Sequence, residues 1–537
     1  MKPLSFALCA LVMFASCRQQ SPVIHSIDPK IGQMGEVLTI RGENFGKERD
    51  VSFVTIAGTA PTSSAYLDWQ DDRISFRVPE FGDGGLIYIY VKGKKSNAAL
   101  FVNQAIMPQP VRDSGPGLSP KIISLSSQTG SIGSLITITG SNFGNSRERG
   151  GVFFSWDAEL SASTPAEAKM PDFIEASATE FGYELWNERE IRVRVPDGAI
   201  SGNLEVRTLR GNSAPFFFDI TGRPGTKTFW DKRSYTISYS VNVKVNNAQS
   251  SNTLYLWIPQ PAVSSAQRNS DLLFRNIEPF VNNYRGTSLY KLDNLTKDSE
   301  TQINLSYKID VYAMETRIQP ASIRQEEAAS VMSVYTQSDL LLPCDDPLIK
   351  TQVNAILGRE RNPYIKAQRI YEWMNSANII QDTVIEGGVL EALEAKRADP
   401  YTGALLYCTL LRAAGVPCIP VAGVLVNRNR QTLRHYWTEF WISGFGWIPV
   451  DPALGAGAIP PAFNTRPDRA SFYFGSLDSQ RIAFSRGIVG LAPMAPRGRP
   501  ISHSRSYSLQ SLWEEASGID SYSSLWGDIT VTGMYAQ

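Results

Sequence analysis

Thiol and imidazole are the side chains of this chain best suited to covalent catalysis, and both are scarce enough to follow one by one. The 537 residues include five cysteines (Cys9, Cys17, Cys344, Cys408, Cys418) and three histidines (His25, His435, His503). A cysteine activated by histidine attacks a carbonyl and forms a thioester, and a carboxylate fixes the tautomer of the histidine. Five cysteines in so long a chain are too few for a disulfide scaffold, and three scattered histidines argue against a His-rich metal centre. No nucleotide-binding loop, metal-ligand spacing or nucleic-acid motif is present, so no cofactor is expected. The 52 basic and 52 acidic residues cancel, which leaves no global field to recruit nucleic acid.

The elements that must position these groups follow from patterning. Met1-Lys2, an apolar run from Leu4 to Phe14 and small residues before Cys17 read as a secretory signal peptide, residues 1–16. The run falls well short of the roughly 20 residues a spanning helix needs. Phe14-Ala15-Ser16-Cys17 resembles a bacterial lipobox, with Phe14 where Leu is usual. That resemblance implies acylation of Cys17 (residues 17–20 forming the lipidated N-terminus), with the chain anchored to a bacterial membrane, facing the periplasm or the cell surface. A double or triple acyl chain suffices for stable anchoring.

A repeat follows. Gly42, Asn44, Phe45 and Gly46 recur 98 residues later as Gly140, Asn142, Phe143 and Gly144, whereas Arg77-Val78-Pro79 recurs 117 residues later as Arg194-Val195-Pro196. The second copy thus holds 19 extra residues, expected as a loop around Ser161–Glu180. Both copies resemble the IPT/TIG family of immunoglobulin-like β-sandwiches, at 21–103 and 118–221, with the Pro- and Gly-rich stretch 104–117 as linker. Residues of this family serve as spacers or binding modules; a spacer role is the expectation. Beyond them, Ser234 to Val245 alternates apolar and polar side chains, placing a further β-domain at 226–320. Helical periodicity then begins, with Ile365, Ile370 and Trp373 on one face and an apolar helix over Ala404–Ala414 closed by Gly415-Val416-Pro417. Strands are expected at Pro420–Val426, His435–Ile442 and Gly446–Val450. The order predicts an α+β core at 340–490 and a C-terminal extension, 491–537, packing on it.

Four blocks of this core resemble the transglutaminase-like superfamily, of papain-like fold: Leu411-Arg412-Ala413-Ala414-Gly415-Val416-Pro417, Val421-x-Gly423, His435-x-Trp437-x-Glu439-Phe440, and Gly446-Trp447-x-Pro449-Val450-Asp451-Pro452. The resemblance implies a cysteine nucleophile at a helix start, with His435 as base and Asp451 orienting it. Both flank a hairpin closing near Ser443-Gly444, which brings them within about one pleat of register. The family's cysteine falls twelve residues before Arg412, and that residue is Pro400. Locally Asp399-Pro400 is a sound helix start, with a capping Asp and Pro at the first position. It carries no thiol. Cys408 lies eight residues on, about 12 Å along the helix. Cys344, Cys408 and Cys418 are alternative nucleophiles, as is a Thr402 hydroxyl beside Tyr401. Trp437, Glu439 and Trp447 are candidate walls of a peptide or glycan cleft.

The expectation is a multidomain protein: two all-β sandwiches, a β-domain and a degenerate transglutaminase-like domain retaining His435 and Asp451 as a remnant dyad. Its function is expected to be extracytoplasmic binding or scaffolding, with a membrane and a polypeptide or cell-envelope ligand as partners. An active acyltransferase or peptidase with a relocated nucleophile, and an adhesin acting through the sandwiches, are the alternatives.

Overall fold

The computed structural model describes residues 21–536 apart from 80–83, 104–117, 148, 159–171, 178, 324–331, 465 and 496–497. The signal peptide, Cys17 and the linker therefore lie outside the described residues.

Each immunoglobulin-like copy is a pair of facing sheets. In the first, Val23–Asp28 pairs with Val37–Glu43, and in the second Lys121–Leu125 pairs with Leu135–Ser141, each with a bulge at the same place. The repeated Gly-x-Asn-Phe-Gly turn has a physical reason at every position. A Cβ at Gly42 or Gly140 would collide with the carbonyl oxygen of Val23 or Lys121. Asn44 and Asn142 hold φ of 61° and 63°, a left-handed backbone that Asn tolerates better than most residues. Phe45 and Phe143 are fully buried plugs. Their carbonyls accept from the indole N–H of Trp69 (2.9 Å) and Trp186 (3.0 Å), so the two copies are equivalent there too.

The β-domain is built on one long bent strand, Gly225–Pro259, paired along its first half with Glu300–Ile318. Thr287–Asp293 pairs with its far end, and Gln267–Arg275 borders Glu300–Ile318 on the outer side. The C-terminal strands Glu514–Trp526 and Thr530–Ala536 also pair with Gly225–Pro259. The extension touches the core through Arg505 and Leu509, and its last two strands complete the sheet of the β-domain. The long strand offers a second edge, and satisfying that row of backbone groups draws in the chain's end.

The core has helices α1 (Pro347–Leu357), α2 (Pro363–Ser376), α3 (Val389–Ala395), α4 (Pro400–Ala413), α5 (Pro452–Ala456) and α6 (Arg469–Phe472). They pack on a four-stranded antiparallel sheet in the order Gly446–Val450, Thr432–Ile442, Cys418–Val426, Arg481–Arg486. The face of α2 that is buried carries Ala367, Ile370, Tyr371 and Met374, so the apolar stripe is rotated from the one expected through Ile365 and Trp373. Helix α4 is buried from Thr402 to Arg412 and is the centre of this unit. Gly415, at φ 76°, follows its C-cap as the sequence predicts.

The second sandwich is not a free spacer. Phe154, Trp156 and Ile174 share one apolar cluster with Phe229 and Met314 of the β-domain and with Ile419, Trp441 and Trp447 of the core. Leu86, Tyr88 and Ala98 of the first sandwich join the same cluster. The chain is thus mostly β, with one helical unit whose own apolar core adjoins this shared cluster.

Candidate functional site

His435 stands on the strand Thr432–Ile442, and Asp451 follows the strand Gly446–Val450. The ladder sets Thr438 opposite Val450, which leaves Asp451 beside the residues around Trp437. The His435 Nε2–H donates to Asp451 Oδ2 at 2.7 Å, and both side chains have no exposure. The other Asp451 oxygen accepts from the Leu454 amide at 3.0 Å and caps α5. Arg481, on the strand two places across the sheet from that of His435, donates to Asp451 Oδ2 at 2.9 Å and to Asp478 at 3.1 Å. Asp478 in turn accepts from the Tyr473 hydroxyl at 2.7 Å.

These five residues form one buried chain of charge-assisted bonds. Burial opposes ionisation of Asp451, but His435 and Arg481 outweigh it and hold its carboxyl below the usual range. Asp478 is likewise lowered against burial, chiefly by Arg481. Arg481, Asp478 and Tyr473 carry no sequence signal that links them to His435.

The nucleophile end is different. Pro400 is the first residue of α4, Asp399 caps it, and the Asp399 carboxylate accepts from the Thr402 amide at 2.7 Å. The first turn of α4 meets the histidine strand through Tyr401, whose ring lies 4.8 Å from that of Tyr436. Strand alternation puts Tyr436 on the opposite face from His435. The His435 Nδ1 is buried and has no hydrogen-bond partner among the described residues. Neither the Thr402 hydroxyl nor any of the three thiols is therefore hydrogen-bonded to the imidazole, as a nucleophile is to its base.

Each thiol has its own structural place. Cys408 and Cys418 are fully buried in the helical core beside Arg412, whose Nε donates to the Cys418 carbonyl at 2.8 Å. Cys344 is buried too, its thiol pushed up to about 11 by desolvation, and it donates to the Thr336 carbonyl. All three are free. Cys418 sits five residues along its strand from Gly423, the cross-strand partner of His435, a separation of about 17 Å.

Arg505 fills the region beside Pro400. Its guanidinium pairs with the buried Asp399 carboxylate, donates to the Ile385 carbonyl at 2.7 Å and lies 4.7 Å from the Tyr401 ring centre. Arg505 holds φ of 56°, an uncommon conformation for a bulky residue. Two residues earlier, His503 Nε2 bonds Glu514, a carboxylate with no exposure that also accepts from Tyr522, Ser524 and Trp526. His503 thereby ties the C-terminal segment to its sheet.

The aromatic walls are closed rather than open. Trp437, Glu439 and Trp447 line a cleft of 30 Å³ together with Asp197 of the second sandwich and Gln267 of the β-domain. That space holds about two waters and no peptide or glycan chain. The 19-residue insertion of the second sandwich braces two of the lining residues. It is not all loop: Asp172–Glu175 is a strand, and Glu180 beyond it reaches the core. Glu180 accepts from the Trp447 indole at 3.0 Å and pairs with Arg486, which also donates to Glu439 at 3.1 Å. Burial pushes Glu439 up to about 8 and pulls Arg486 down to about 10, so desolvation outweighs attraction at this contact. Among the described residues no cluster of three or more His, Cys, Asp or Glu is arranged to hold a metal.

With this geometry in view, residues 350–452 match the model of the transglutaminase-like superfamily. The chain carries a transglutaminase-like domain. Residues 22–104 and 120–157 match the IPT/TIG domain, the second match stopping just before the insertion. A Haemophilus influenzae protein is 29% identical over 138 residues, covering 20% of this chain and 36% of its own. A cyclomaltodextrin glucanotransferase of Paenibacillus macerans is 29% identical over 85 residues, 16% of this chain and 12% of its own. The chain thus spans well under half the length of these relatives. Among solved structures, a candidate cysteine protease from Cytophaga hutchinsonii aligns with 58% of this chain and 92% of its own at 14% identity and a TM-score of 0.36. A surface glycan-binding protein from Prevotella bryantii aligns with 55% and 92% at 10% identity and a TM-score of 0.13. At such TM-scores neither likeness bears on function.

Proposed function

We propose that this protein is an extracytoplasmic binding or scaffold protein, held at a bacterial membrane by acylated Cys17, whose transglutaminase-like domain is a non-catalytic remnant. One observation carries the reading: the His435–Asp451 pair has no exposure, and no nucleophile among the described residues is hydrogen-bonded to the His435 Nδ1. A base sealed from solvent and substrate cannot take a proton from either. The buried arginine and second aspartate beyond it give the pair a structural task, joining three strand ends.

The ligand is a polypeptide or cell-envelope polymer bound on outer surfaces, since the aromatic cleft is filled from within. Lipid attachment agrees with the lipobox-like segment, and no helix among the described residues is long and apolar enough to cross a membrane.

The test is amine incorporation. The mature chain is given a fluorescent amine and a glutamine donor, beside His435→Ala and Pro400→Cys. No turnover is expected from wild type or from His435→Ala. Wild-type turnover abolished by His435→Ala would restore the enzyme reading. Activity gained only with Pro400→Cys would show that loss of the nucleophile is what silences the domain.

A further inference from the structure

The strand Gln267–Arg275 is the outermost of the β-domain sheet, and among the described residues its only strand partner is Glu300–Ile318. Its outer edge therefore presents unpaired backbone groups, a template for another strand. Native edges are usually guarded by Lys, Pro or inward-pointing charge. The exposed half of this one reads Asn269-Ser270-Asp271-Leu272-Leu273-Phe274-Arg275 and has neither Lys nor Pro. Instead three consecutive apolar side chains face solvent: Leu272 at 37%, Leu273 at 55% and Phe274 at 55% exposure. A register shift between Leu272 and Phe274 breaks the alternation that would have turned part of this set inward. Such a bulge commonly protects an edge; here it displays hydrophobic surface.

The order of charges says what covers it. Asp271 and Arg275 stand at equal distances on either side of Leu273. Two copies of the segment laid antiparallel about Leu273 place Asp271 of each opposite Arg275 of the other. The same alignment sets Leu272 opposite Phe274 and Leu273 opposite itself. Opposite charges across an antiparallel pair attract, and like charges repel. Shifting the register by one residue in either direction separates both charge pairs. Arg275 now bonds Asn282 at 2.7 Å and pairs with Glu278, which is 77% exposed. Its Nε also donates to Glu278 at 2.9 Å, so all three guanidinium nitrogens are engaged, and pairing exchanges this exposed carboxylate for Asp271 of the second copy.

We infer that the chain self-associates as a two-fold dimer through antiparallel pairing of its Asp271–Arg275 edges. A five-residue strand contact is smaller than the roughly 1,200 Å² of a standard stable interface. The dimer is accordingly weak in solution and favoured where copies are concentrated on one surface.

The measurement is sedimentation velocity on the non-acylated mature chain from about 1 to about 200 µM, with Leu273→Asp, Asp271→Arg and the charge swap Asp271→Arg/Arg275→Asp. These side chains lie on an exposed edge, so circular dichroism should confirm an unchanged fold for each variant. Wild type should show a concentration-dependent dimer, weakened at least about tenfold by either single change. The double swap should restore it. A wild type that stays monomeric overturns the inference, as does a dimer untouched by the substitutions or not rescued by the swap. A monomer that sediments with phosphatidylethanolamine/phosphatidylglycerol vesicles through Leu273 would assign the patch to lipid and equally overturn the pairing.

Discussion

At the scale of single residues, the decisive pair is His435 with Asp451, and its chemistry now belongs to stability. Asp451 is ionised, buried and satisfied by an imidazole, a guanidinium and a backbone amide. Removing one partner of such a set leaves a buried charge uncompensated. Asp451→Asn is therefore expected to lower stability at neutral pH by about 2–4 kcal/mol, measured by urea unfolding. The pH dependence follows from the direction of the shift. Because the folded carboxyls of Asp451 and Asp478 titrate below the ordinary 3.8, the unfolded chain takes up protons first as the pH falls. Their contribution is complete well above that value and is lost as the pH descends through the lowered folded ones. In Asp451→Asn the acid limb of the stability curve should be shallower than in wild type. Identical limbs would show that this network carries no linkage.

At the scale of elements, Pro400 loses its singularity. Helices α1, α2, α4 and α5 all open on an Asp or Asn cap followed by Pro, at Asp346-Pro347, Asn362-Pro363, Asp399-Pro400 and Asp451-Pro452. A cap accepts an orphan amide, and Pro at the first position lacks the N–H that would go unpaired. This helix start has been perfected as a stop–start signal at the place where the family resemblance requires a thiol. Arg505 reinforces it from the C-terminal segment, whose backbone is also held by the Tyr436 hydroxyl on the Ser506 carbonyl at 2.9 Å. Arg505→Ala should leave the fold intact but raise amide exchange across residues 499–506 and the first turn of α4, read by hydrogen-exchange mass spectrometry. Unchanged protection in both segments would rule out this role for the pair.

At the scale of the whole molecule, the second sandwich, the β-domain and the core meet in one shared apolar cluster, so they are expected to unfold together. The contact is fastened by Glu180 on Trp447 and Arg486, with Lys227 pairing Asp197 and donating to the Trp447 carbonyl at 2.7 Å. Glu180→Ala leaves Arg486 with Glu439 alone and the Trp447 indole without its acceptor. A loss of about 1–3 kcal/mol is expected, together with a separate, earlier transition of the sandwich in calorimetry. A single unaltered transition would mean that apolar packing alone holds the modules together.

The amino-acid sequence by itself determined what depends on local backbone rules and on spacing. The repeated Gly-x-Asn-Phe-Gly turns, the capped starts and Gly stop of α4, and the hairpin that joins His435 to Asp451 are all of this kind, because each is set by sterics within a few residues or by register across one tight turn. Only the tertiary structure decided which of many similar charges meet. Nothing local distinguishes Arg481, Arg486 or Arg505 from the other arginines, yet each is assigned a buried carboxylate by packing between elements 30 to more than 300 residues apart. The same long-range packing drew the last two strands into the β-domain and placed the second sandwich over the aromatic cleft. A buried charge must find a partner and a free strand edge must find a strand, and those partners exist only once the chain has folded.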